Sequence, residues 1–191
     1  EDVEEQAKQA YELPVQSNEI KNWPQGPSVY GKSAIVMDAD TKAVLYAKNI
    51  DDEHYPASIT KIMTALLAAE NGNLETDKVL ISQESVDFLK PGDAYIGMRP
   101  GEEISLKDAL YGVLLASANE AENIGEKLPG TGSGYEKFIQ AMNDRAKELG
   151  ATHTHFVNSY GLQDEEHYTS AHDMALISAE AFAHPELLEI M

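Results

Sequence analysis

Tyr55-Pro56-Ala57-Ser58-Ile59-Thr60-Lys61-Ile62-Met63-Thr64 leads into a run that reads as a helix from Ser58 to Glu70. Side chains three apart share a helix face, so the Lys61 amine can reach the Ser58 hydroxyl. A serine becomes nucleophilic when a neighbouring base takes its proton, and a lysine serves if it is held neutral. Burial favours the neutral amine by penalising the ammonium. Ile62, Met63, Ala65, Leu66, Leu67 and Ala68 cover most of the circumference, which predicts a buried helix. Together these features point to acyl transfer. The same four residues, Ser58 to Lys61, also fit an ordinary helix start, with Ser58 as N-cap and Lys61 in water.

Ser117-Ala118-Asn119 shifts the balance. It follows a helical run, Leu106 to Leu115, in which Leu106, Leu110, Val113 and Leu114 form an apolar face. Ser105 and Asp108 make a capping-box-like start for that run. A further short helix, Glu120 to Leu128, leaves Ser117 to Asn119 in the connection, where functional side chains often sit. S-x-x-K with S-D-N and K-T-G is the motif set of penicillin-recognising serine enzymes, and here Ala118 replaces the aspartate.

With both motifs in place, the chain resembles the serine-type D-Ala-D-Ala carboxypeptidases, the low-molecular-mass penicillin-binding proteins. The resemblance runs from about Ser33 to the last residue. Ser33-Ala34-Ile35-Val36-Met37-Asp38 followed by Val44-Leu45-Tyr46 resembles the family's opening hairpin. Tyr55 to Thr64 resembles its nucleophile segment. Phe156 to Leu162, with His167 to Met174, resembles a later block. No Lys-Thr-Gly or Lys-Ser-Gly follows Asp173.

The resemblance implies an α+β, β-lactamase/transpeptidase-like fold. An antiparallel sheet packs on helices beside an all-helical lobe, and the sheet is expected to be incomplete in this chain. It implies removal of the terminal D-alanine from peptidoglycan stem peptides. Ser58 would be the nucleophile and Lys61 its base. Ser117 would relay a proton to the departing amine, and Asn119 would orient Lys61 and bind the substrate backbone. No cofactor and no metal is called for. β-Lactams would act as inhibitors by acylating Ser58. A second polypeptide, cleaved or separately encoded, is expected to carry the Lys-Thr-Gly strand, and activity is expected to need it. The implied location is extracytoplasmic, secreted or at the outer face of the cell membrane. Two alternatives stay open: a class A β-lactamase-like hydrolase and a non-catalytic cell-wall-binding relative. The first should show an E-x-x-L-N-like segment, and none lies between Asn119 and His172.

Composition narrows the function classes. The chain has 191 residues, 14 basic against 33 acidic, for a formal charge of −19. So acidic a chain is not a nucleic-acid binder, because phosphate recognition needs a basic surface. Without cysteine there is no disulfide framework and no thiolate zinc site. Six histidines are present. His153-x-His155 and the pair His167 and His172 lack an H-E-x-x-H arrangement, so structural or surface roles are expected. The sequence opens at Glu1 without methionine, as a processed or trimmed protein would.

Residues 1–28 read as an acidic segment and linker, with Trp23 pinning it to a domain spanning 29–191. Lys32 to Asp38 and Lys42 to Lys48 read as a hairpin. Lys78 to Ile81 reads as a strand. Tyr95 to Met98 and Glu102 to Ile104 flank Arg99-Pro100-Gly101 and read as a second small hairpin. Arg99 is expected to make a structural salt bridge. Pro129 to Gly134 reads as a flexible break. Tyr135 to Leu149 is amphipathic with Phe138, Met142 and Leu149 inward, and Gly150 ends it. Thr154 to Val157 reads as a possible strand. Ser170 and Asp173 open a helix to about Ala183, and Pro185 starts a last one.

Overall fold

The computed structural model describes residues 2–13, 22–87, 89–119, 124 and 134–191. Apart from Ile124, the expected helix Glu120 to Leu128 lies outside them, as does the break at 129–134 apart from Gly134. Helix α1 is Val3–Glu12, and the Asp2 side chain caps it by accepting from Glu4 N at 3.0 Å. Strands β1 (Ala34–Met37) and β2 (Val44–Lys48) pair antiparallel, Ala34 opposite Lys48, with an irregularity between Val36 and Met37. A 3-10 turn, Ala57–Ile59, feeds helix α2, Thr60–Asn71. Strand β3 (Lys78–Leu80), helix α3 (Glu84–Asp87), strand β4 (Glu103–Ser105) and helix α4 (Leu106–Leu115) follow. Helices α5 (Tyr135–Glu148), α6 (Ala171–Phe182) and α7 (Pro185–Ile190) complete the described order.

Helix α2 is the centre of the molecule, in contact with α4, α5, α6 and α7. Its Met63, Ala65, Leu66 and Ala68 are fully buried. They meet Leu110 of α4, Phe138 and Met142 of α5, Ile177 of α6 and Leu187 of α7 in one apolar cluster. Ser105 and Ser170 cap α4 and α6 by accepting from Asp108 N at 3.0 Å and Asp173 N at 3.1 Å, as the sequence expects. The β1–β2 hairpin packs on α6 through β1.

Three expectations need correction. Strand β4 pairs with β3, Lys78 opposite Ser105, and not with Tyr95 to Met98. Gly97, at φ 81°, breaks the pleat of that segment, while the Arg99-Pro100-Gly101 turn is bonded to Ile81 instead. Thr154 to Val157 makes a single bridge, His155 to Tyr168, and is no strand. The helix expected to begin at Ser58 begins at Thr60, after the 3-10 turn.

Three side-chain anchors run between the hairpin and the N-terminal segment. Trp23 Nε1 donates to Leu45 O at 2.8 Å, and Tyr46 OH donates to Pro27 O at 2.8 Å. Lys48 is fully buried, and its ammonium donates to Ala10 O at 2.5 Å and Val29 O at 2.7 Å. Among the described residues no helix is long and apolar enough to cross a membrane.

Candidate functional site

Ser58 lies in the 3-10 turn ahead of α2, exposed, while Lys61 in the first turn of α2 is only 2% exposed. Residues three apart eclipse in 3-10 geometry, which stacks the two side chains more directly than an α-turn would. Ser58 does not cap α2: the position before the helix is Ile59, and no side chain bonds there. The ordinary helix start, with a capping serine and a solvated lysine, is therefore not what forms.

The Lys61 amine has four oxygen neighbours. Tyr160 O lies at 2.8 Å and Asn119 Oδ1 at 2.9 Å, and the hydroxyls of Ser58 and Ser117 both lie at 3.3 Å. The structure thus brings all four sequence-flagged residues, Ser58, Lys61, Ser117 and Asn119, into one cluster. The chemistry of the neighbours assigns the hydrogens. The two carbonyl oxygens can only accept, so a neutral amine gives its two N–H groups to them. Its lone pair is then left for a serine hydroxyl, which can donate. Burial pulls the Lys61 amine down to about 8, and the nearby Asp93 carboxylate opposes that pull. A free amine is thus accessible near neutral pH.

Backbone strain gathers at the same place. Ala57, immediately before the nucleophile, has φ 50°, and Ser117 has φ 55°. A non-glycine residue held in the left-handed region costs about 1–2 kcal/mol, so neither conformation forms without support from its surroundings.

Three contributors are given no role by the sequence, although two of them, Asn158 and Tyr160, lie in the block Phe156 to Leu162 that carries part of the resemblance. Tyr160 acts through its backbone carbonyl, which any residue type supplies. Asp93 accepts from Lys90 N at 2.8 Å, and the next residue's carbonyl, Ala94 O, receives Asn119 N at 3.0 Å. Asn158 organises the loop that carries Tyr160, and an Asn three residues ahead of a Gly is the one signal that could have shown it.

The histidines lie elsewhere. His167 Nε2 is 2.8 Å from Thr60 Oγ1, and Val157 N–H donates to its Nδ1 at 3.0 Å. His155 donates to Glu166 O at 2.6 Å, and His172 meets Asp51 at 3.1 Å. Among the described residues the arginine ion pairs belong to Arg145 and not to Arg99, whose backbone N–H meets Glu102 at 2.7 Å.

The surroundings match known proteins. The chain is 42% identical over 154 residues to the D-alanyl-D-alanine carboxypeptidase DacF of Bacillus subtilis, covering 78% of this chain and 38% of that protein. The solved D-alanyl-D-alanine carboxypeptidase DacD of Francisella tularensis superposes with a TM-score of 0.77 at 28% identity, covering 92% of this chain and 42% of that one. A mutant of a Streptomyces DD-transpeptidase superposes with a TM-score of 0.78 at 27% identity, covering 86% of this chain and 66% of that one. The fold is therefore the mixed helix-and-strand fold of the penicillin-binding and transpeptidase proteins. The chain spans about two fifths of the length of the curated relatives it matches. Residues 20–190 match the D-alanyl-D-alanine carboxypeptidase family, and the chain belongs to it.

Proposed function

We propose that the chain carries the acylating centre of a serine D-Ala-D-Ala carboxypeptidase. The observation behind this is the Lys61 amine, buried and satisfied by two carbonyls, with Ser58 Oγ 3.3 Å away. Ser58 Oγ attacks the carbonyl carbon between the two terminal D-alanines of a stem peptide, and its proton passes to Lys61. The Ser58 backbone N–H is one donor to the resulting oxyanion. The C–N bond then breaks, and the proton returns through Ser117 to the departing D-alanine amine. Asn119 holds Lys61 and meets the substrate backbone. Water attacks the acyl-enzyme, giving the shortened peptide and free Ser58. A β-lactam amide would be opened by the same attack and leave Ser58 acylated. The chemistry needs no cofactor.

The second oxyanion donor and the Lys-Thr-Gly strand are assigned to further polypeptide, a separate chain or a continuation. An apolar groove of about 300 Å³ between Ile35, Val36 and Met37 of the hairpin and Ala175, Ala179 and Phe182 of α6 offers it a seat. Val36 and Phe182 are about half exposed there, at 53% and 47%. The site would face the peptidoglycan, outside the cytoplasm.

Intact-mass spectrometry after penicillin treatment, with mapping of the modified peptide and an assay of D-alanine release, tests the reading. One penicilloyl group on Ser58 is expected, with D-alanine released from a D-Ala-D-Ala peptide. A label on another serine, or none on the full protein, would falsify it. Fast turnover of penicillin without D-alanine release would favour a β-lactamase.

A further inference from the structure

Two asparagines bracket the segment between α5 and α6 in the same way, at different distances from Lys61. Asn143, on α5, donates to Phe156 O and accepts from Phe156 N, both at 2.8 Å. Asn158, 7% exposed, accepts on Oδ1 from Gly161 N at 2.6 Å and Tyr160 N at 3.3 Å, and donates from Nδ2 to Leu162 O at 2.8 Å. Those three bonds close the loop 158–162 on one side chain. Thr64 of α2 fastens the loop to the central helix by donating to Ser159 O at 2.7 Å.

The closed loop touches the acylating pair twice. Its Tyr160 carbonyl takes one Lys61 N–H at 2.8 Å. Its Gly161 lies flat on the chain that enters the nucleophile. A Cβ added to Gly161 would fall 1.9 Å from Ala57 O and 2.9 Å from Ser58 N, and φ at Gly161 is +94°. Only a residue without a side chain allows this approach, which sets the bare Cα of Gly161 directly against the left-handed Ala57.

We propose that Asn158 is a positioning residue for acylation: its bracket holds the Tyr160 carbonyl on the Lys61 amine and the bare Cα of Gly161 against Ala57–Ser58. The inference rests on the roles proposed above for Ser58 and Lys61. With the bracket intact, both N–H groups of the neutral amine are engaged and the lone pair is directed to a hydroxyl. Without it the carbonyl wanders, one N–H is released, and the lone pair loses its aim. A carbonyl also binds an ammonium more strongly than an amine, so its departure favours the neutral form.

Asn143 supplies the matched control, because its bracket is alike but does not reach Lys61. Acylation by a fluorescent penicillin is measured against pH in the full protein, alongside Lys61 titration by NMR of 13Cε-labelled lysine. Asn158→Ala should slow acylation at least about tenfold, the scale expected when a reacting group is misplaced. It should also lower the Lys61 midpoint by about half a unit or more, beyond the ordinary precision of such titrations. Asn143→Ala should lower the melting temperature and leave rate and midpoint alone. Should Asn158→Ala not fold, Asn158→Ser is expected to show the same changes at smaller size. An unmoved or raised midpoint in the Asn158 variant, or an equal shift in both asparagine variants, overturns the proposal. If the wild-type protein takes no penicillin, the acylation reading fails, while the Lys61 midpoints still decide the role of Asn158.

Discussion

At its C-terminal end, α2 is held by ordinary means. Asn71 Nδ2 donates to Leu67 O at 2.9 Å, and Gly72 N–H closes on Ala68 O at 2.9 Å. Glu70 takes Arg145 at 2.6 Å, and Arg145 reaches on to Glu180 at 3.0 Å and Glu148 at 3.3 Å. The N-terminal end of the same helix has no side-chain cap, a left-handed alanine at its entry and a desolvated lysine in its first turn. Every feature there lowers stability on its own. The contrast shows where the fold's stability is generated and where it is spent: helix packing and the Arg145 ion pairs supply it, and backbone strain and the desolvation of Lys61 consume it beside the exposed serine.

The sharpest way to break this comparison is to remove chemistry from the strained end. Ser58→Ala should abolish penicillin labelling and D-alanine release together. Lys61→Arg keeps charge but cannot give up its proton, so acylation should fall about 10²–10⁴-fold, the usual worth of a general base. A near-normal rate in Lys61→Arg would remove the base role. In the wild type the acylation rate should rise with pH and level off above about 8, as Lys61 loses its proton. Flat kinetics between pH 6 and 9 would contradict that. Ser117→Ala and Asn119→Ala should cost less, about 10²-fold each, because each assists a group that remains in place.

Side chains made this end partly legible in sequence. Ser58 and Lys61 could be picked out because the chemistry demands those residue types three apart, and Ser117 and Asn119 because the motif resembles the family's. Tyr160 could not, since a carbonyl has no residue signature, and Asp93 acts by charge across a turn. The fold shows the same division. The β1–β2 hairpin and the capped starts of α4 and α6 follow from local pattern. The partner of β4 does not, because a three-residue turn containing Gly101 looks alike whether it joins neighbours or returns to Ile81. No helix was expected where α1 forms, although Asp2 caps it.

A smaller effect should come from His167, which supports the strained end from behind through Thr60. Its Nδ1 must stay unprotonated to accept Val157 N–H, and burial holds its folded pKa down to about 4, against the ordinary value of 6.5. Asp164 partly opposes that depression, and His155 adds to it. Between those values the unfolded chain binds the proton and the folded one does not. Stability is therefore full above about pH 6.5 and is lost as pH falls toward 4. Urea unfolding at pH 7 and pH 5 should show a lower midpoint at pH 5, and His167→Asn should flatten that difference. An equal pH response in the variant would place the acid sensitivity elsewhere.

The smallest effect belongs to the conventional end, and it tests whether the two ends are independent. Arg145 is the hub for Glu70, Glu148 and Glu180, with His184 Nε2 3.9 Å from Glu70. Its side chain is 23% exposed and that of Glu70 20%, so the pair lies between a surface ion pair and a buried one. Arg145→Met should cost about 1–2 kcal/mol, more than a free surface pair and less than a fully desolvated one. It also leaves Glu70 and Glu180 facing each other uncompensated, so raised salt should recover part of the loss. Adding Glu70→Gln should cost less than the sum of the single changes, because the two act on one interaction. Through all of this the pH profile of acylation should hold, since Asn158, Thr64 and Tyr160 fix the other end without Arg145. A shift of the Lys61 midpoint in Arg145→Met would show instead that α2 transmits strain along its length, and that its two ends form one coupled unit.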